Sequence, residues 1–137
     1  MKKDVLCMAI GTLATGLFGS WGPLYYALLV CQAIDLVAGL MVAGVFNKSN
    51  KSENGRIDSA AMFKGLCRKF AMWAVIAVAH QIDIVLGVNY ITTASVYAFI
   101  ANEAISVIEN AGQMGVVKSQ VLINAIDVLK SRADKQQ

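Results

Sequence analysis

The sequence predicts an all-α integral membrane protein with three to four transmembrane helices. Three observations carry this. Hydrophobic residues make up 57% of the chain and charged residues 15%, where a soluble domain has about 45–50% and about 25%. The charges are also segregated. Between Asp4 and Lys48 the only charged residue is Asp35, and between Lys69 and Glu103 the only formal charge is Asp83, with His80 near it. Each run has room for the roughly 20 apolar residues of a membrane span. Finally, a few hydrophobic hairpins use up all 137 residues. One membrane domain over residues 1–137 is expected, with little room for a soluble catalytic domain.

Residues 1–20, "MKKDVLCMAIGTLATGLFGS", form a short hydrophobic segment. It has the basic start and apolar run of a signal peptide but no A-x-A site, so it is read as uncleaved. It is short for a span, and whether it crosses or lies at the interface stays open. Gly11 and Gly16 suit close helix packing. "GSWGPLYY" is a turn, with Trp21, Tyr25 and Tyr26 of the kind favoured at a membrane surface. Residues 24–46 are long enough to span, and residues 47–59 form a polar loop. Residues 60–69 set an apolar stripe beside Lys64, Arg68 and Lys69. That pattern predicts an interfacial basic helix whose cations anchor at lipid head groups and which leads into the next span. Residues 70–87 and 90–109 are the remaining spans, joined by a tight return at "GVN". Residues 116–132 repeat apolar positions against polar ones, as in an amphipathic helix on the cytoplasmic side. Residues 133–137 read as a disordered tail.

The basic residues cluster at the N-terminus, in the central loop and lead-in helix, and in the tail. The connections around Gly19–Pro23 and Gly87–Tyr90 carry none. The positive-inside rule therefore puts both termini and the central loop in the cytoplasm. Nucleic-acid binding is not expected, because no basic helix or stacking platform of the kind such binding uses is present. Cys7, Cys31 and Cys67 form no CxxC and read as small apolar residues. One His makes no multi-His metal site, and no GxSxG, P-loop or GxGxxG occurs. No cofactor, metal or enzymatic activity is expected.

Ionisable residues at membrane depth cost roughly 2.5–3.5 kcal/mol each on insertion scales. Here they form stripes. Asp35 is followed at one-turn intervals by Gly39 and Ala43, small residues that let another helix come close. His80 and Asp83 are three apart and share a helix face. Asn102, Glu103, Ser106, Glu109 and Asn110 fall on two overlapping faces: Glu103, Ser106 and Asn110 on one, Asn102, Ser106 and Glu109 on the other. Such stripes must meet each other, water or another subunit. With so few spans, one protomer has little interior for them, so these eight polar residues are expected at an oligomer contact or a pore lining. Milder readings stand beside this one. Asp83 and Glu109 lie near span ends, and His80 can serve as a neutral helix-to-helix donor.

Three stretches carry a resemblance. "IDLVAGLMVAG" (Ile34–Gly44), "FKGLCRKFAMWAVIAVAHQID" (Phe63–Asp83) and "ANEAISVIENAGQMG" (Ala101–Gly115) resemble, in register, segments of the phage lysis and toxin-secretion holins. The likeness runs from about Ile34 to Leu129. The Glu, Ser, Glu-Asn and Gly-turn order of the last stretch is the most specific part. One departure is "GVVKSQVL" (Gly115–Leu122), where the family often has a proline. The resemblance implies a homo-oligomer in the bacterial cytoplasmic membrane that opens timed lesions. Its functional partner would be an endolysin or a toxin as cargo. The rival readings are a small proton-coupled transporter or ion channel using Glu103 or Asp35, and a membrane scaffold for a different protein.

Overall fold

The computed structural model describes residues 1–117 together with Gln120, Asn124 and Val128. Four helices account for nearly all of it: α1 (Lys2–Phe18), α2 (Pro23–Gly44), α3 (Ser59–Leu86) and α4 (Tyr90–Gln113). There is no strand among the described residues. The last three helices are long and apolar enough to cross a membrane. At 17 residues α1 is shorter than the roughly 20 a span needs. Most of the expected amphipathic helix at 116–132, and all of the tail at 133–137, lie outside the described residues.

Each boundary has a local cause. Gly22 is extended and Pro23 opens α2, where its missing N–H and fixed φ cost nothing. Asp58 caps α3, its Oδ1 accepting from Ala60 N at 2.7 Å and Ala61 N at 3.3 Å. From there α3 runs 28 residues without a break. The basic stretch at 60–69 and the span at 70–87 are thus one helix, because only Gly65 interrupts good helix formers between them. At 1.5 Å per residue α3 is about 42 Å long, against roughly 30 Å of hydrocarbon. Its first turns therefore reach head-group depth. Gly87 ends α3 in the left-handed conformation, φ 66°, and Val88 N returns to Asp83 O at 3.0 Å. In the 45–58 loop, Gly55 has φ 74°, and an added Cβ would sit 2.2 Å from Asn47 O, so only glycine fits.

α4 packs along both α2 and α3, while α1 touches α3. α2 and α3 meet instead through long side chains, Lys69 to Asp35 and Trp73 to Gln32. The apolar core lies toward the Gly87 turn, where Tyr25, Leu28, Ile76 and Val96 are buried against Phe18, Trp73, Phe99 and Ile100. Tyr25 is not the surface aromatic the sequence suggests. Its hydroxyl donates to Phe18 O at 2.7 Å, and its ring lies 5.9 Å from Trp73. Burying the ring while satisfying the hydroxyl outweighs an interfacial position. Trp21 and Tyr26 are exposed as expected.

Candidate functional site

Above the apolar core, toward the 45–58 loop, polar side chains from three helices converge. On α2 the stripe is Gln32, Asp35 and Gly39. On α3 it is Lys69, Met72 and Trp73. On α4 it is Glu103, Ser106 and Asn110. Gln32, Asp35 and Gly39 stand three and four apart, as do Glu103, Ser106 and Asn110, while Met72 and Trp73 both lie one turn from Lys69, so each helix turns one edge to a common axis.

Lys69 is at the centre. Its Nζ donates to Asp35 Oδ2 at 2.8 Å and to Glu103 Oε2 at 2.5 Å. The other Asp35 oxygen accepts from Asn110 Nδ2 at 3.1 Å, and the Ser106 hydroxyl faces the same carboxylate. Glu103 is 2% exposed, Asn110 3% and Asp35 8%. One turn deeper, Gln32 Oε1 accepts from Trp73 Nε1 at 3.0 Å, and its amide meets the Met72 sulfur at 3.6 Å. Measured along α3, Lys69 lies ~26 Å from Leu86. The cluster is therefore in the loop-side half of the spans. A buried cation between two carboxylates is stable only as a set. Removing one member strands a charge that desolvation makes expensive.

This arrangement answers part of the expectation and corrects part. Asp35, Glu103, Ser106 and Asn110 come together, but inside one protomer, so a single chain hides them. Lys69 is a correction. It reads as a lipid-facing anchor beside Lys64 and Arg68, yet only those two face outward. The α3 register sets Lys69 one turn above Trp73, on the edge that meets α2. No local signal sets Lys69 apart as the buried partner, because it lies in a basic run. Gln32 and Trp73 were also missed, although Gln32 stands one turn before Asp35 and Trp73 one turn after Lys69.

The other polar residues part ways. Asn102 and Glu109 are exposed, seven residues apart on the outer face of α4. His80 and Asp83 form no ion pair among the described residues. Asp83 is 4% exposed. Its carboxylate accepts from Ile91 N at 3.1 Å and Thr92 N at 2.8 Å. It thus caps α4 from the neighbouring helix, at a terminus where Asn89 gives no side-chain bond. This local duty explains its burial without a pore. The His80 ring sits against Gly19, where an added Cβ would lie 2.7 Å from Cε1.

Of the small residues, Gly39 and Ala43 line the packed side of α2. A Cβ at Gly39 would sit 3.8 Å from Asn110 Nδ2, so the gap there is narrow. At Gly11 and Gly16 an added Cβ would meet nothing within 4 Å, so neither glycine is needed for a close approach within the protomer. The contact near Gly16 is polar, from Gln81 Nε2 to its carbonyl at 3.0 Å. Among the described residues no group of His, Cys, Asp and Glu is placed to hold a metal.

Residues 12–131 match the bacteriophage holin family. A probable holin of Bacillus phage phi105 is 31% identical over 110 residues, covering 80% of this chain and 76% of that protein. An uncharacterized protein of Halalkalibacterium halodurans is 38% identical over 125 residues, covering 87% of each chain. An uncharacterized protein of Listeria monocytogenes is 30% identical over 131 residues, covering 95% of this chain and 88% of that one. No solved structure matches the chain. With its three apolar helices and a match over most of its length, this chain belongs to the bacteriophage holin family.

Proposed function

We propose that the protein is a holin that oligomerises in the bacterial cytoplasmic membrane and opens timed lesions through which an endolysin or a toxin leaves the cell. The observation that carries the reading is the family match over residues 12–131, with a phage relative described as a probable holin. The distribution of polar groups supports it. The Lys69 cluster is satisfied within one protomer, which suits a chain that waits in the membrane without opening it. Asn102 and Glu109 have no partner among the described residues and stand on an outer helix face. Such groups seek a neighbouring helix, at about 0.6 kcal/mol per interhelical bond on average. Contacts this weak make assembly depend on concentration. Above a threshold, the same faces turn to water and line the lesion. The 45–58 loop and the C-terminal end of α4 face the cytoplasm on the positive-inside rule, and the N-terminus joins them there if α1 also crosses.

A proton-coupled transporter would need a membrane carboxylate free to exchange protons. Asp35 and Glu103 are both held by Lys69, which favours the holin reading.

The test is induction in a bacterial host, with and without a cytosolic endolysin that has no export signal, followed by culture turbidity. Abrupt lysis that needs both proteins is expected. Growth arrest without lysis indicates an ion-sized pore, and normal growth at verified expression contradicts both.

A further inference from the structure

A cleft opens between the loop-side halves of α2 and α3. Its floor is the Lys69–Asp35 pair, its walls are apolar or small, and its rim is basic. The opening has a sequence cause. Gly39 and Ala43 on α2 and Ala61 and Gly65 on α3 line it with small residues, which leaves a narrow space above the Lys69 bridge, bordered by Leu36, Leu40, Ile57 and Met62. Lys51 and Arg56 stand on the rim, exposed, and neither has a carboxylate within ion-pair distance among the described residues. The two acids that share the cleft are already engaged. Asp58 accepts from the α3 N-terminus, and Asp35 from Lys69 and Asn110. The loop holds its basic residues in place with its own bonds: Ser52 Oγ donates to Arg56 O at 2.7 Å, Ser49 N to Gly55 O at 3.0 Å, and Arg56 N to Asn54 Oδ1 at 3.1 Å.

We propose that this cleft binds one anionic phospholipid from the adjoining leaflet. The phosphate sits between Lys51 and Arg56, and the glycerol esters with the first methylenes of an acyl chain lie along Leu36, Leu40, Ala61 and Gly65. Basic pockets between membrane helices at head-group depth select anionic lipid in this way. The apolar walls below the rim set the occupant apart from a free phosphate. The site rests on the membrane placement given above, not on lesion formation.

The full chain, purified in detergent and freed of native lipid, is titrated with phosphatidylglycerol, phosphatidylcholine and inorganic phosphate, and bound lipid is counted by native mass spectrometry. One phosphatidylglycerol per protomer is expected. Lys51→Gln with Arg56→Gln weakens it roughly 10- to 30-fold. Lys2→Gln with Lys3→Gln, the same charge change away from the cleft, leaves it unchanged. Gly65→Leu is the independent arm. A Cβ at Gly65 meets nothing within 4 Å, so a leucine there starts into open space and takes the room of the acyl chain. Retention of the lipid by both the double variant and Gly65→Leu overturns the site. So does phosphatidylcholine binding equally well, displacement by inorganic phosphate, or equal loss in the Lys2/Lys3 variant. No lysis is read here, so a chain that binds lipid but opens no lesion would overturn the functional proposal and leave this one standing.

Discussion

Lys69 reaches Glu103 across 2.5 Å, joining the third helix to the fourth at a carboxylate that is 2% exposed. The same ammonium holds Asp35 at 2.8 Å, so one basic side chain ties together all three spans. Through this contact one protomer satisfies its buried charges by itself.

The first prediction concerns that tie. Lys69→Met strands two buried carboxylates and should lower stability by about 3–5 kcal/mol. Replacing the whole set with Asp35→Asn, Lys69→Met and Glu103→Gln removes every charge and should recover most of the loss. Denaturation of the purified protein in detergent measures both. A single variant as stable as the parent would mean the cluster does not hold the bundle.

Glu103→Leu is predicted to change or abolish lysis timing, because it frees Lys69 from α4. Asn102→Leu with Glu109→Leu should leave protomer stability within about 0.5 kcal/mol, since both residues are exposed. It should instead reduce chemical cross-linking between copies. Unaltered lysis for both variants at equal protein level would remove α4 from the account.

Asp83 is expected to act locally. Asp83→Ala should cost about 0.5–2 kcal/mol, the usual range for a lost helix cap. It should also speed hydrogen exchange at the Ile91 and Thr92 amides, which the carboxylate accepts from. Unchanged exchange at those two amides contradicts the cap.

Gly39 and Gly55 should respond in opposite ways to alanine. At Gly39 the added methyl reaches only van der Waals contact with Asn110, so Gly39→Ala gains up to about 1 kcal/mol of helix propensity. Gly39→Leu wedges α2 from α4 and destabilises. Gly55→Ala meets Asn47 O at 2.2 Å in a left-handed backbone and destabilises as well. Thermal midpoints of the three variants decide this.

Asp35 and Glu103 show how far sequence reasoning reaches here. Their cost in hydrocarbon says that each needs a partner, and the helical period says which residues on the same helix go with them. Neither says that the partner is Lys69. That depends on the register of α3 against α2, which is set by a 14-residue connection between Gly44 and Ser59 and has no local signal. The same gap hid the inward turn of Glu103 and Asn110 against the outward turn of Asn102 and Glu109. Periodicity finds two overlapping faces, but only packing chooses between them. Asp83 was obscure for another reason. Caps are sought next to the helix they serve, and this one comes from seven residues before α4. By contrast, the three spans were readable because each is a long apolar run bounded by strong breakers, Gly22-Pro23, Asp58 and Gly87.

The proposed lesion is a hole wide enough for a folded protein, opened by many copies together. Its most direct measurement is efflux from vesicles of bacterial lipid that hold both a small dye and a folded enzyme, with the purified chain added at increasing density. Nothing should leave below a threshold density, and dye and enzyme should leave together above it. Dye escaping at every density while the enzyme stays inside would contradict it.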